Sequence, residues 1–213
     1  MNYMKYMGYT KYIKKTLFAS CLLFSVFAVS ASAARVHTVV SGDSMWKIAV
    51  KYQQGLSEII AMNSQIKNPA LIYPGDKLNI PDPSQYTSQE EEVLRLVNAE
   101  RSKQGLKLLK MNWELSRIAR LKSEDMAIKK YFDHQSPTYG SPFDMIKSFG
   151  IKYQTAGENI AMGQKTPAAV MTGWMNSPGH RANILNANFA ELGIGIAKNS
   201  SGTLYWTQMF IKQ

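Results

Sequence analysis

One cysteine, and where it sits, limits most sharply what this chain can fold into. Cys21 is the single cysteine among 213 residues. It lies in an apolar run, Thr16 to Val29, that follows Lys5, Lys11, Lys14 and Lys15 and precedes Ala31-Ser32-Ala33. A basic start, a short apolar stretch and an Ala-x-Ala site read as a secretory leader, residues 1–33, cleaved after Ala33. The run is shorter than the roughly 20 residues needed to cross a bilayer, so no stable membrane anchor is expected. Without the leader the chain has no thiol. Disulfides then cannot hold the exported protein together, and cysteine nucleophiles drop out of its chemistry.

The rest of the chain must close on its own apolar cores, and it divides into a small part, 34–81, and a larger one, 88–213. A short proline-bearing linker at 82–87 joins them. In the small part, His37-Thr38-Val39-Val40 reads as a strand and Ser41-Gly42-Asp43 as a turn. Met45, Ile48, Ala49 and Tyr52 recur at helical spacing behind a cap at Asp43 or Ser44. Leu56, Ile59, Ile60 and Asn63 mark a second helix. Tyr73-Pro74-Gly75-Asp76 has the proline and glycine of a type II turn, leading into a strand over Lys77 to Ile80. Trp46 is expected as the large apolar anchor of so small a core, His37 as a surface residue, and Asp43 as a helix cap.

The strand-helix-helix-strand order, with Gly42-Asp43-Ser44-Met45-Trp46-Lys47-Ile48-Ala49 and Asn68-Pro69-Ala70-Leu71-Ile72-Tyr73-Pro74-Gly75-Asp76-Lys77-Leu78, resembles a LysM domain. The resemblance implies binding of N-acetylglucosamine-containing glycans such as peptidoglycan in a shallow groove. Carried onto this chain, one wall would be Gly42, Asp43, Ser44 and Met45, and the other Ala70, Leu71 and Ile72.

In the larger part, Thr87-x-x-Glu90 or Ser88-x-x-Glu91 can box the start of a helix that carries Val93, Leu94, Leu96 and Val97 and ends at Gly105. A second helix starts near Asn112 with Leu115, Ile118, Ala119, Lys122 and Met126 along one side. Ser141-Pro142 and Thr166-Pro167 each set a cap before a proline at the first helical position. Pro178 is expected to stop the second of these helices. Leu192, Ile194 and Ile196 alternate with Gly193, Gly195 and Ala197, the pattern of a strand approached closely from one side. Asn199 to Gly202 makes a hairpin into the last strand. Mixed helices and antiparallel strands give an α+β fold.

Two of the three histidines, His134 and His180, fall in this part with Glu158 between them. A histidine titrates near neutral pH and its ring nitrogen serves as base or ligand, so the three make a candidate site. Phe132-Asp133-His134, Gly157-Glu158-Asn159-Ile160, Trp174 to Leu185 with its Ser-Pro-Gly-His, Leu192 to Ala197 and Tyr205 to Phe210 resemble the bacterial branch of the CAP, or SCP-like, superfamily. That resemblance implies a three-layer α-β-α sandwich with a cleft. In many animal and plant members two histidines and two glutamates face that cleft and can bind a divalent metal. His134 and Glu158 match one of each; Ser177 and Tyr205 stand where the others would be. His134, Glu158 and His180 could still hold zinc with an open water position. Glu158 could equally fix an imidazole by hydrogen bond, and His180 with Ser177 could tie the chain down where a helix ends. No serine makes a case as nucleophile.

Removing the leader lowers the formal charge from +10 to +6, since 25 − 4 leaves 21 basic residues against 15 acidic. The lysines are dispersed, with no basic run interleaved with aromatics, so nucleic acid is not an expected partner. The expectation is a secreted protein held at the cell wall or spore envelope by its LysM part, with a non-catalytic CAP cleft. The rival readings are a metal-assisted hydrolase and a cleft for lipid or another small ligand.

Overall fold

The computed structural model describes residues 35–81 and 87–213; the expected leader, with Cys21, and residues 82–86 of the expected linker lie outside the described residues. In the small domain, β1 (Arg35–Thr38) pairs antiparallel with β2 (Lys77–Ile80), and α1 (Met45–Tyr52) and α2 (Leu56–Met62) pack on that ribbon. The core is Val39, Met45, Ile48, Ala49, Ile59, Leu78 and Ile80, with a full side chain of this kind contributing about 1.5–3 kcal/mol of burial. Gly75 takes the positive φ of 99° that the Pro-Gly turn requires, and Asp76 N donates to Tyr73 O at 3.0 Å to close it.

The larger domain consists of α3 (Thr87–Lys103), β3 (Lys110–Met111), α4 (Trp113–Lys129), α5 (Pro142–Ser148), β4 (Thr155–Met162), α6 (Pro167–Asn176), α7 (Pro178–Ile184), β5 (Glu191–Lys198) and β6 (Leu204–Lys212). Its four strands lie in the order β3-β5-β6-β4, with β3 parallel to β5 and the other pairs antiparallel. One face of the sheet, through Leu192, Ile194, Trp206 and Phe210, meets Val97, Trp174 and Ile184 of α3, α6 and α7. The other, through Met209 and Ile211, meets Leu115, Ile118 and Met145 of α4 and α5. This is the expected three-layer α-β-α sandwich.

Gly193 and Gly195 explain how close the layers come. A Cβ on Gly195 would sit 2.1 Å from the backbone of Ala119 and Arg120, and one on Gly193 would sit 2.3 Å from Leu115 C. Only a bare backbone lets α4 lie there. The predicted Ser141 and Thr166 caps form, and Asn112 caps α4; each side chain accepts from the helix it opens. Glu90, in the first turn of α3, has its buried carboxylate gripped by Arg120, with contacts of 2.6–3.1 Å. Pro178 stops α6 and also opens α7 as its first residue, so the Ser-Pro-Gly-His block is helical rather than a loop.

Candidate functional site

Three expectations for the small domain are corrected by burial. Trp46 is 53% exposed and not a core anchor, because α1 turns Met45, Ile48 and Ala49 inward and leaves position 46 off that stripe. His37 is 6% exposed, not a surface residue. Its Nε2 lies 2.9 Å from Asp43 Oδ2 and its Nδ1 lies 3.1 Å from Tyr52 Oη. Asp43 is therefore not the cap. Ser44 caps α1 by accepting from Lys47 N at 3.2 Å, while Asp43 accepts from Val40 N at 3.0 Å. Those two bonds, Val40 first and then His37, hold its carboxyl below the usual range.

The two stretches assigned to the glycan groove lie at the same end of the ribbon. Val39 N donates to Asp76 O at 2.8 Å and Gly75 N to Val39 O at 2.9 Å, so the chain leaving β1 runs beside the chain entering β2. Gly42, Ser44, Ala70 and Leu71 are exposed, and Asp43 and Ile72 half-buried. Met45 is 4% exposed, which leaves only its backbone for a ligand.

In the larger domain, β4 is an edge strand whose successive residues face opposite sides of the sheet. Glu158 faces the side covered by α4, and its Oε1 meets His134 Nδ1 at 2.7 Å. A carboxylate can only accept, so Nδ1 carries the proton and Nε2 is left for a ligand or water. This hydrogen bond raises the His134 pKa above its ordinary value, against the opposing effect of burial. Glu158 Oε2 is buried with no hydrogen-bond partner. Around the pair lies an open cleft of about 550 Å³ lined by Asp133, Phe143, Gly157 and Asn183, among others.

Asn159 faces the other side. Its Nδ2 donates to Gln208 Oε1 at 3.0 Å and to the His180 carbonyl at 3.1 Å. Asn183 Nδ2 donates to the Glu158 carbonyl at 3.1 Å and to Asn159 Oδ1 at 2.9 Å. The backbone of α7 at His180 is thus tied to β4. The His180 ring is half-buried, and burial, with His134 nearby, lowers its pKa. Among the described residues, no three His, Cys, Asp or Glu side chains gather as a metal set. His134, Glu158 and His180 therefore do not meet as three ligands. Tyr205, where the second family histidine would be, is buried against Met126 and Ile160.

Lys122, which the sequence places only along one side of α4, builds this site. Its Nζ, on a buried side chain, donates to the carbonyls of Asp133 and His134 at 2.8 Å each, and so fixes the loop that presents His134. Burial pulls its pKa down, while Glu158, Asp125 and Asp133 pull it back up. Beside it Asp125 accepts from Tyr131, Ser136 and Thr138. Burial pushes the Asp125 carboxyl up, but those donors outweigh it and leave the pKa lowered. The signal for Lys122 was a lysine in the buried phase of an apolar stripe.

An α-β-α sandwich with a histidine-glutamate cleft, carried behind a βααβ module, defines a two-domain protein of LysM and CAP type. The chain belongs to the cysteine-rich secretory protein (CAP) family, which matches residues 94–210, and a LysM domain matches residues 37–81. It is similar to the uncharacterized protein YkwD of Bacillus subtilis (strain 168), 61% identical over 129 residues, which are 61% of this chain and 49% of that protein. The spore coat assembly protein ExsA of Bacillus cereus is 39% identical over 56 residues, 26% of this chain and 9% of its own length. A solved extracellular protein containing an SCP domain from Bacillus anthracis str. Ames aligns with a TM-score of 0.56 and 32% identity, covering 66% of this chain and 47% of that one. The chain thus spans about half or less of the length of these relatives. Among the described residues, no helix is long and apolar enough to cross a membrane.

Proposed function

We propose that this protein is exported and held at the bacterial envelope, its LysM domain binding N-acetylglucosamine-containing peptidoglycan while its CAP domain acts there without catalytic chemistry. The divisions at 1–33, 34–81, 82–87 and 88–213 belong to this reading. The observation that carries it is that the segments holding exposed Gly42, Ser44, Ala70 and Leu71 leave β1 and lead into β2 at one end of the ribbon, where Val39 bonds Gly75 and Asp76. Sugars have polar edges and apolar faces, and a shallow groove of backbone donors and small aliphatics suits both. The likeness to a spore coat assembly protein supports the spore envelope as one place where this happens. The test is retention of the full exported chain on insoluble peptidoglycan. Retention that falls at least about fivefold in Leu71→Asp is expected, since Leu71 is exposed and its loss spares the core. No retention above a control protein removes the reading.

A non-catalytic CAP domain is favoured by how two of its loop serines are occupied: Ser136 donates to buried Asp125, and Ser141 caps α5. One observation supports the rival, a metal-assisted hydrolase. The orphaned Glu158 Oε2 offers negative charge to a divalent cation such as zinc, although the side chains as placed supply no third ligand. Zinc analysis and wall zymography on the wild type, His134→Ala and Glu158→Ala decide between them. Activity that is lost in both variants while the fold survives establishes the enzyme.

A further inference from the structure

The exposed surface beside the glycan groove resumes just past the buried Met45. The next residue, Trp46, is 53% exposed, whereas Trp174 and Trp206 are 1% and 0% exposed. It lines an open cleft of about 530 Å³ with Glu114, Phe149, Lys152, Tyr153 and Gln154. The cleft lies where the LysM domain meets the CAP domain, and the CAP side supplies all of these residues but Trp46. Its volume falls within the about 300–1,000 Å³ common for small-ligand sites. Three aromatic rings and a rim of Lys152, Gln154 and Glu114 combine flat apolar faces with hydrogen-bonding groups, the same pairing that a pyranose presents in reverse.

The contact that forms the cleft is built from specific residues. Arg117 of α4 reaches across to α2, where it bonds Glu58 at 2.6–3.0 Å and Ser57 Oγ at 3.0 Å. Burial pushes Glu58 up, but the Arg117 and Ser57 bonds outweigh it and leave its pKa lowered. The Arg117 guanidinium also lies 5.1 Å from the centre of the Phe149 ring, one of the cleft aromatics. Gly55 leaves room for this clamp, since a Cβ there would fall 2.1 Å from Arg117 Nε. The residue that joins the domains therefore also backs one of the aromatics that would receive a ligand.

We propose that this cleft is a second saccharide subsite, in which an N-acetylglucosamine-containing strand leaving the LysM groove crosses Trp46 and lays its sugar faces on Phe149 and Tyr153. The inference rests on the LysM domain binding such glycans. It is tested by calorimetric titration of the full exported chain with N-acetylglucosamine trimer and hexamer. The hexamer binds wild type more tightly than the trimer. Trp46→Ala and Tyr153→Leu each weaken the hexamer about tenfold and leave the trimer within about twofold, and Tyr153→Phe, which keeps the ring, restores hexamer binding. Equal affinity for both lengths in the wild type, or a hexamer indifferent to Tyr153→Leu, overturns the subsite and leaves the LysM groove standing. Equal weakening of trimer and hexamer by Trp46→Ala places that indole in the groove itself and also overturns the subsite. Should neither oligomer bind, the groove and the subsite fall together. Trp46→Ala alters an exposed position, so the test survives even if Tyr153→Leu does not fold.

Discussion

The two domains treat their tryptophans in opposite ways. Of the CAP domain's three tryptophans, Trp113 is half-buried, whereas Trp174 and Trp206 lie at the centre, and the indole N–H of each of these two donates to a carbonyl, of Ile160 at 3.3 Å and of Gln164 at 2.8 Å. In the LysM domain the indole of Trp46 is outside, and the centre is aliphatic. The small domain draws instead on polar ties. Asn63, 1% exposed, donates to the carbonyls of Ile59 and Asn79 at 2.7 Å each and accepts from Asn79 N at 2.7 Å. His37, Asp43 and Tyr52 form a second tie. Two layers of helices around a sheet can enclose an indole; a two-stranded ribbon with two short helices has too little chain to do so. Directional bonds then supply the definition that bulk supplies in the larger domain.

The largest effect should come from filling the contact between layers. Gly195→Val places methyl groups where the Ala119 and Arg120 backbone already lies, and overpacking against backbone has no side chain to absorb it. A loss of at least about 3 kcal/mol is expected, seen as low soluble yield or a collapsed urea midpoint for the CAP transition. A wild-type midpoint would mean that α4 is not held this close. Next comes the direct comparison of indoles. Trp174→Ala should lose about 3–5 kcal/mol, whereas Trp46→Ala should lose less than about 1 kcal/mol. Similar losses from the two would erase the contrast between the domains.

Asn63 sharpens the same comparison from the other side. Asn63→Leu fills the space but leaves Asn79 N and the carbonyls of Ile59 and Asn79 without their partner, at a cost of about 2–3 kcal/mol. Amide hydrogen exchange in β2 reads this out. In the LysM domain, then, a buried amide should matter more than the largest aromatic. If Trp46→Ala proves the more damaging, the small core depends on the indole after all.

How far the sequence led depended on whether the signal was local. The Ser-Pro and Thr-Pro caps and the Gly193/Gly195 alternation were readable, because each is a short-range steric or hydrogen-bonding requirement. The exposure of Trp46 is readable as well: once Met45, Ile48, Ala49 and Tyr52 define the buried stripe, position 46 points elsewhere, whatever the size of its side chain. His37 was harder, since alternation along β1 does not say which side is covered until Val39 is known to be buried. Pro178 both ends one helix and starts the next, and sequence alone does not choose between these roles. The CAP site was half legible. His134 and Glu158 meet in the cleft that the family resemblance implied, but Lys122, Asn159, Asn183 and Gln208 act through contacts set by the sheet, where adjacent positions 158 and 159 face opposite layers.

The smallest effect separates the two CAP histidines by pH. His134 has its pKa raised in the fold by Glu158, so its contribution to stability is complete below the unfolded value of about 6.5 and fades as pH climbs through the folded value. His180 has its pKa lowered by burial and by His134, so it acts in reverse, and stability is lost as pH falls below about 6.5. Glu158→Gln removes the charge that holds the His134 proton. In that variant the His134 midpoint, followed by NMR of the ring, should drop toward the ordinary value, and stability should no longer decline as pH rises above about 6.5. An unchanged His134 midpoint would show that some other group supports the imidazolium, and that Glu158 faces the cleft for a ligand instead of a neighbour. The LysM pair offers the contrast within one chain: Asp43 is held by Val40 N before His37, so His37→Gln should leave the Asp43 carboxyl still below its usual range, where His134 depends first on a single partner.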